Sequence, residues 1–296
     1  MSNQPHPAET PVIAVIGGSG VYDIDGLEDR RWITVESPFG TPSDDIMEGV
    51  LDGQRVLFLP RHGRGHKTSP TALNYRANID ALKRLGATEI LSLSAVGSLK
   101  EELPPGHFVL VDQFIDRTFA REKSFFGPGC VAHVSMAEPV CSRLGDALAA
   151  AAKAADIAFT RGGTYLAMEG PQFSTRAESN LYRSWDCSVI GMTNMPEAKL
   201  AREAELCYAT VAMVTDFDCW HEDHDAVTVE AVIRVLQENA AKARDIVRRT
   251  VPLLARRQGL CHAGCHNALD VAVITAPDSR DPATVAMLDA VAGRVL

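Results

Sequence analysis

The sequence predicts an α/β fold with a largely parallel or mixed central sheet flanked by helices. Short apolar runs of strand length alternate with segments of helical periodicity over most of the chain, the pattern of that class. Several runs end in small loops rich in Gly and Ser, as strands do where α/β sheets keep their ligand crevices. Of the 296 residues 46% are hydrophobic, enough for one large core or two closely joined ones.

Residues 12–16 form a buried-type strand running into Gly17-Gly18-Ser19-Gly20. Strands and turns are expected over 32–60, with Asp52-Gly53 as a hairpin signal and 55–59 leading into Pro60-Arg61-His62-Gly63, because Asp-Gly supplies the left-handed backbone of a two-residue turn. Ser69 and Pro70 predict a helix cap and first helical residue, and Leu73, Ala77, Ile79, Leu82 and Leu85 carry that helix to Gly86. Strands follow at 89–93, which opens into Ser94-Ala95-Val96-Gly97-Ser98, and at 108–111. An alanine-rich helix spans 139–155; a loop at 170–174 precedes a helix over 176–185, a strand over 188–192 and a helix over 196–205. The run 208–214 is a strand, and an amphipathic helix over 229–254 has Val232, Ile233, Leu236, Ala240, Ala243 and Val247 on one stripe. The tail adds a strand-like 271–275 and a helical 282–291.

Net charge is −9, and no run of Lys or Arg is long enough to track a phosphate backbone, which excludes nucleic acid as a partner. Seven cysteines, an odd and scattered set, do not make a disulfide framework. Residues 1–11 are polar and proline-rich without an apolar signal core, and no later run is long and apolar enough for a bilayer. The expectation is a soluble cytoplasmic protein, with a flexible N-terminus over 1–11, a main domain over 12–257 and an extension over 258–296 packed on that domain.

Two carboxylates, Asp216 and Asp218, follow the strand at 208–214 with one residue between them. In extended chain such positions face the same way, so a strand end aims both at one spot on the sheet rim. Loops 17–20, 61–66 and 94–98 follow three separate strands and offer free amides, the hydroxyls of Ser19 and Ser94 and the Arg61 guanidinium; converging, they would hold an anion such as phosphate. A dinucleotide fingerprint fails at Asp23, which stands where a third glycine or alanine is needed. The acidic run His221-Glu222-Asp223-His224-Asp225 and the group Cys261, His262, Cys265 and His266 match no established metal spacing, since Cys261 and Cys265 lack a second Cys pair. No metal is therefore expected, and no serine nucleophile elbow is present.

Six segments in order, Gly17-Gly18-Ser19-Gly20, Arg61-His62-Gly63-Arg64-Gly65-His66, Ser94-Ala95-Val96-Gly97-Ser98, Glu169-Gly170-Pro171-Gln172-Phe173-Ser174, Met192-Thr193-Asn194-Met195-Pro196-Glu197 and Thr215-Asp216-Phe217-Asp218, resemble the motifs of the trimeric purine nucleoside phosphorylases. The resemblance runs over 12–254 and implies a single-domain nucleoside phosphorylase fold. It implies phosphate binding by Ser19, Arg61, His62, Ser94, Ala95 and Thr193, purine packing on Phe173, and ribose against Met192. Asp216 and Asp218 would read N7 and the 6-amino group, with Asp216 as the catalytic general acid. Six-oxopurine members carry Glu and Asn where this chain has Ser174 and Asp216. Carboxylates accept from the exocyclic amine of adenine, and a protonated Asp donates to N7, so adenine is expected.

The same resemblance places Val229 and Ile233 at the 5′ end of the nucleoside, an apolar pair suited to a methylthio group, and gives His133 to a neighbouring subunit's site. The expected partners are a small nucleoside and phosphate within a homotrimer. The expected reaction is phosphorolysis of 5′-methylthioadenosine, with another purine nucleoside as the alternative. Phosphate is a co-substrate, and no cofactor is expected. Asn194-Met195 and the longer tail depart from the animal members of the family.

Overall fold

A computed structural model describes residues 11–18, 21–221, 229–256 and 261–296, and over 229–234 the backbone alone. Its strands are β1 (Ile13–Gly17), β2 (Leu27–Ile33), β3 (Ile46–Leu51), β4 (Gln54–Pro60), β5 (Glu89–Ser98), β6 (Phe108–Leu110), β7 (Gln113–Asp116), β8 (Phe159–Arg161), β9 (Thr164–Ala167), β10 (Val189–Gly191) and β11 (Cys207–Asp216). The helices are α1 (Tyr75–Arg84), α2 (Ser142–Ala154), α3 (Arg176–Ser184), α4 (Asn194–Glu203), α5 (Val229–Ala255), α6 (Pro282–Met287) and α7 (Asp289–Ala292).

All the strands join one mixed sheet. β1 lies between β4 and β5, parallel to both, and β5 in turn pairs in parallel with β11. The far end of β5 meets β10 in antiparallel register, Val189 against Ser98. β1 and β11 are apolar almost throughout because both of their faces are covered. Alternate residues divide between two cores: Ala14, Ile16, Tyr208, Ala212 and Val214 face α1 and α4, while Ile13, Val15, Ala209, Val211 and Met213 face α2 and α5. Tail residues Leu269, Leu288, Val291 and Ala292 enter the first of these cores.

Local chemistry sets the element ends. Asp52 and Gly53 both take positive φ, 51° and 75°, the requirement of the two-residue turn between β3 and β4. Helix α1 starts later than Ser69-Pro70 predicts, because Asn74 accepts from the Ala77 amide at 3.1 Å and takes the cap. Helix α3 is closed by a capping box between Thr175 and Glu178. The strand expected at 271–275 is reduced to a bridge between Ala132 and Val273, followed by a short 3₁₀ turn at Pro277–Ser279, and the predicted helix at 282–291 is split into α6 and α7. Among the described residues no helix is long and apolar enough to cross a membrane.

Candidate active site

β1, β4, β5 and β11 run parallel, so the residues at their C-terminal ends meet on one rim. β10 runs the other way along β5, which carries the next residues, Met192 and Thr193, back towards Ala95 and Ser94. The Ser94 hydroxyl lies 3.1 Å from that of Thr193 and 3.0 Å from that of Tyr165. A side chain at Gly191 would lie 1.9 Å from the Tyr165 hydroxyl, so the crossing requires glycine. Sequence alone gives Thr193 no visible link to Ser94; the antiparallel register makes it.

Arg61, at the end of β4, has a duty that its loop position does not reveal. Its guanidinium is buried and paired with Glu197 of α4, Nε to Oε2 at 2.9 Å and Nη2 to Oε1 at 3.1 Å. It also donates to the Leu93 carbonyl at 2.9 Å and the Ser92 hydroxyl at 2.6 Å, which leaves at most one Nη1 hydrogen for an anion. Arg61 therefore fixes the rim as well as bringing positive charge to it: two of its five N–H donors go to Glu197 and two to Ser92 and Leu93. Glu197 also accepts from Ser92 at 2.6 Å and Tyr208 at 2.8 Å.

His62 follows Arg61, and burial together with the Arg61 charge pushes it down to about 4, so the imidazole is neutral at pH 7. Its Nδ1 lies 2.8 Å from the Thr68 carbonyl. A carbonyl only accepts, so that nitrogen carries the proton and Nε2 keeps a lone pair.

Asp216 ends β11 opposite Gly97. A Cβ at Gly97 would stand 2.9 Å from Asp216 Oδ1 and 3.3 Å from Asp218 Cβ, so both acids gather over this glycine. Asp216 Oδ1 accepts from the Asp218 amide at 2.8 Å, and Asp218 takes a left-handed φ of 52°. The Thr215 hydroxyl lies 2.7 Å from Asp216 Oδ2 and 3.1 Å from the Val96 carbonyl; its single proton cannot serve both, whereas a proton on Asp216 satisfies all three. Burial raises Asp216. Burial, then the neighbouring Asp216 charge, lifts Asp218 to about 6, and its Oδ2 is buried without a hydrogen-bond partner among the described residues.

Phe173 is exposed to 47% on the loop before α3. The next residue, Ser174, accepts at its carbonyl from Cys219 Sγ, 3.3 Å away and one residue after Asp218, which ties the aromatic to the acid pair. Met192 packs where a side chain on Gly170 would be, its sulfur 2.5 Å from that Cβ position. Arg121 joins these loops: it pairs with Glu169 at 2.8 Å and donates to the Met192 and Met195 carbonyls at 2.7 Å each. Against the pull of burial, the Ala120 and Phe119 amides and Arg121 hold Glu169 down at about 2. Sequence reasoning assigned no role to Glu197, Tyr165, Tyr208, Arg121 or Glu169. The available signal was ionisable residues inside otherwise apolar or small-residue segments.

His133 is not among these residues. It lies on an outer segment bonded to the tail, its amide donating to the Ala272 carbonyl at 2.9 Å. Ser19, the side chains of Val229 and Ile233, and residues 222–225 of the acidic run lie outside the described residues.

Fold and site together define an α/β protein whose sheet rim gathers the Ser94 and Thr193 hydroxyls, the partly buried Asp216 with the buried Asp218, and an exposed aromatic. Residues 12–252 match the family model described as the phosphorylase superfamily, and the chain belongs to that family. It is 68% identical to the S-methyl-5'-thioadenosine phosphorylase of Rhodospirillum rubrum, over 97% of this chain and 97% of that protein, and 63% identical to that of Cereibacter sphaeroides, over 96% and 98%. Among solved structures, a methylthioadenosine phosphorylase from an antarctic soil metagenomic library superposes with a TM-score of 0.90 at 48% identity, covering 96% of this chain and 99% of that one. The methylthioadenosine phosphorylase of Schistosoma mansoni in complex with adenine gives 0.78 at 38% identity, over 83% and 93%.

Proposed function

We propose that this chain catalyses reversible phosphorolysis of 5′-methylthioadenosine to adenine and 5-methylthioribose 1-phosphate. The observation that carries this reading is the register of β5 and β11. It sets the Ser94 and Thr193 hydroxyls and the Asp216 and Asp218 carboxyls about three strand residues apart, roughly 10 Å, a separation that suits a nucleoside lying between anion and acid. A phosphate oxygen bonds to C1′ as the C1′–N9 bond breaks; the bonding pair leaves on the purine, and the Asp216 proton passes to N7 so that adenine departs neutral. The sugar gains positive charge on the way, and the bound anion stabilises it.

In this proposal Ser19, Ser94, Ala95, Thr193 and the remaining Nη1 hydrogen of Arg61 hold phosphate, while His62 accepts through Nε2 from the hydroxyl of the hydrogenphosphate. Phe173 and Ser174 flank the purine, Met192 the ribose, and the unpartnered Asp218 oxygen accepts from the 6-amino group. The reaction requires neither metal nor organic cofactor, since phosphate is itself a substrate. A cytoplasmic homotrimer is part of the same reading. His133 stands beside Val131, Val271 and Ile274, which are 40%, 94% and 63% exposed, an apolar patch that a neighbouring subunit would cover while the histidine closes that subunit's pocket.

The direct test is adenine release that requires phosphate, run on several nucleosides. Release without phosphate would remove the proposal. Val229 and Ile233 are proposed to line an apolar 5′ pocket, and burying a hydroxyl there without a partner costs about 1–3 kcal/mol. Adenosine should therefore show kcat/KM roughly ten- to a hundredfold below 5′-methylthioadenosine, and equal values would remove the pocket assignment.

The acid pair also sets a pH dependence. Both carboxyls sit above the ordinary 3.8, Asp218 at about 6. The Asp218 contribution to stability is complete below 3.8 and is lost as pH rises through about 6, and that of Asp216 is lost in the same direction. Turnover that needs a protonated acid falls in the same direction, with apparent values belonging to the pair. A kcat/KM profile in the phosphorolysis direction should therefore decline on its alkaline side, and a profile that only rises with pH would exclude Asp216 as the acid.

A further inference from the structure

We propose that Cys141, Cys207, Cys261 and Cys265 form a structural zinc site that fastens the C-terminal tail to the body of the protein. The four sulfurs lie within 4.8 Å of one another, and all four residues are buried. Cys141 and Cys261 Sγ are 3.6 Å apart. A zinc ion bonded at about 2.3 Å to four thiolates sets its sulfurs about 3.8 Å apart, so the cluster needs only small adjustment to close on a metal. A disulfide would engage one pair at about 2.0 Å and gives no reason for the other two thiols to stand at the same point. Apolar packing explains one buried cysteine well; it does not explain four of the chain's seven at one spot.

The backbone prepares each sulfur. Cys141 caps the N-terminus of α2, where the helix dipole favours a thiolate. Cys207 opens β11, and the Arg143 guanidinium lies 3.6 Å from its sulfur, a positive group suited to the negative charge of a zinc tetrathiolate. Cys261 and Cys265 are brought round by a turn in which Gly264, at φ 69°, donates to the Cys261 carbonyl at 3.0 Å. Their spacing, with three residues between, is within the range of zinc pairs. The second pair that the sequence lacks locally is thus supplied by two residues far away in the chain, which reverses the expectation of no metal. Binding displaces the thiol protons, and all four ligands come from protein, as in closed structural sites. Cys207 and Asp216 terminate the same strand, about 30 Å apart at the strand rise, so the ion would take no part in chemistry at the rim.

The test is the metal content of the full-length protein purified without chelators. About one zinc per chain is expected, released by a mercurial that titrates thiols and read with a zinc chromophore. Stripping under reducing conditions should lower Tm by about 10 °C or more, and refilling with cobalt(II) should give the visible bands of a tetrahedral tetrathiolate. Cys265→Ser should lose the metal, and the cobalt spectrum of the native chain decides the matter if that variant does not fold. The proposal is overturned if the reduced native chain binds neither zinc nor cobalt. It is also overturned if the intact mass is short by two or four hydrogens, the mark of disulfides, or if folded Cys265→Ser keeps its full metal.

Discussion

Asp216→Asn is expected to lower kcat on 5′-methylthioadenosine by roughly 10²- to 10⁴-fold, the usual contribution of general acid catalysis. The amide is the same size, and its oxygen can still accept from the Asp218 amide that Asp216 now binds at 2.8 Å, so the fold should stand. What it lacks is a transferable proton for N7. The six-oxopurine members resembled by the sequence carry Asn there, so activity on methylthioinosine should fall less or rise. Kinetics on both nucleosides, with a melting curve to show an unchanged fold, are the measurement. Undiminished turnover on 5′-methylthioadenosine would make Asp216 structural.

Arg61→Ala should damage stability as well as activity. The substitution leaves Glu197 with a buried charge and no cationic partner, and breaking such a pair costs about 3–5 kcal/mol. Denaturant unfolding should show that loss, and phosphate-dependent adenine release should fall to background. Arg61→Met with Glu197→Leu separates the two effects. Replacing both members of a buried pair with apolar residues of similar size is often neutral or stabilising, so the double variant should recover much of the stability while remaining inactive. Recovery of phosphorolysis with it would show that the Arg61 charge does not serve the anion.

The order of the central strands and the helices was legible from apolar runs and helical periodicity, as the all-buried Ile13–Gly17 shows, but β7, β8 and β9 were not, being three or four residues long with partly exposed side chains. The acid pair was legible as residues closing an apolar run, but Asp218 is brought beside Asp216 by a left-handed turn after β11 and not by strand alternation. The loops were legible singly but not their geometry, since the Ser94–Thr193 contact spans 99 positions and depends on a strand running backwards. The pairing of Arg61 with Glu197 was not legible, because nothing near Arg61 in sequence announces a buried Glu from α4. Asn74 displaced the Ser69-Pro70 start by supplying a better cap. The company of Cys261 and Cys265 is not legible in the tail, because Cys141 at the start of α2 and Cys207 at the start of β11 lie far away in sequence.

The pairing of Arg61 with Glu197 across 136 positions also bears on how the chain is made. At about 5 to 20 residues per second, Arg61 is synthesised roughly 7 to 27 s before its partner. During that interval the guanidinium must stay hydrated, and the face of β4 that carries it has no α4 to close against. The rim therefore cannot mature progressively from the N-terminus. It forms late, once α4, ending at Glu203 of the 296 residues, has been made and folds back on β4, and a nascent fragment ending before α4 would expose β1, β4 and β5 to aggregation and to chaperones.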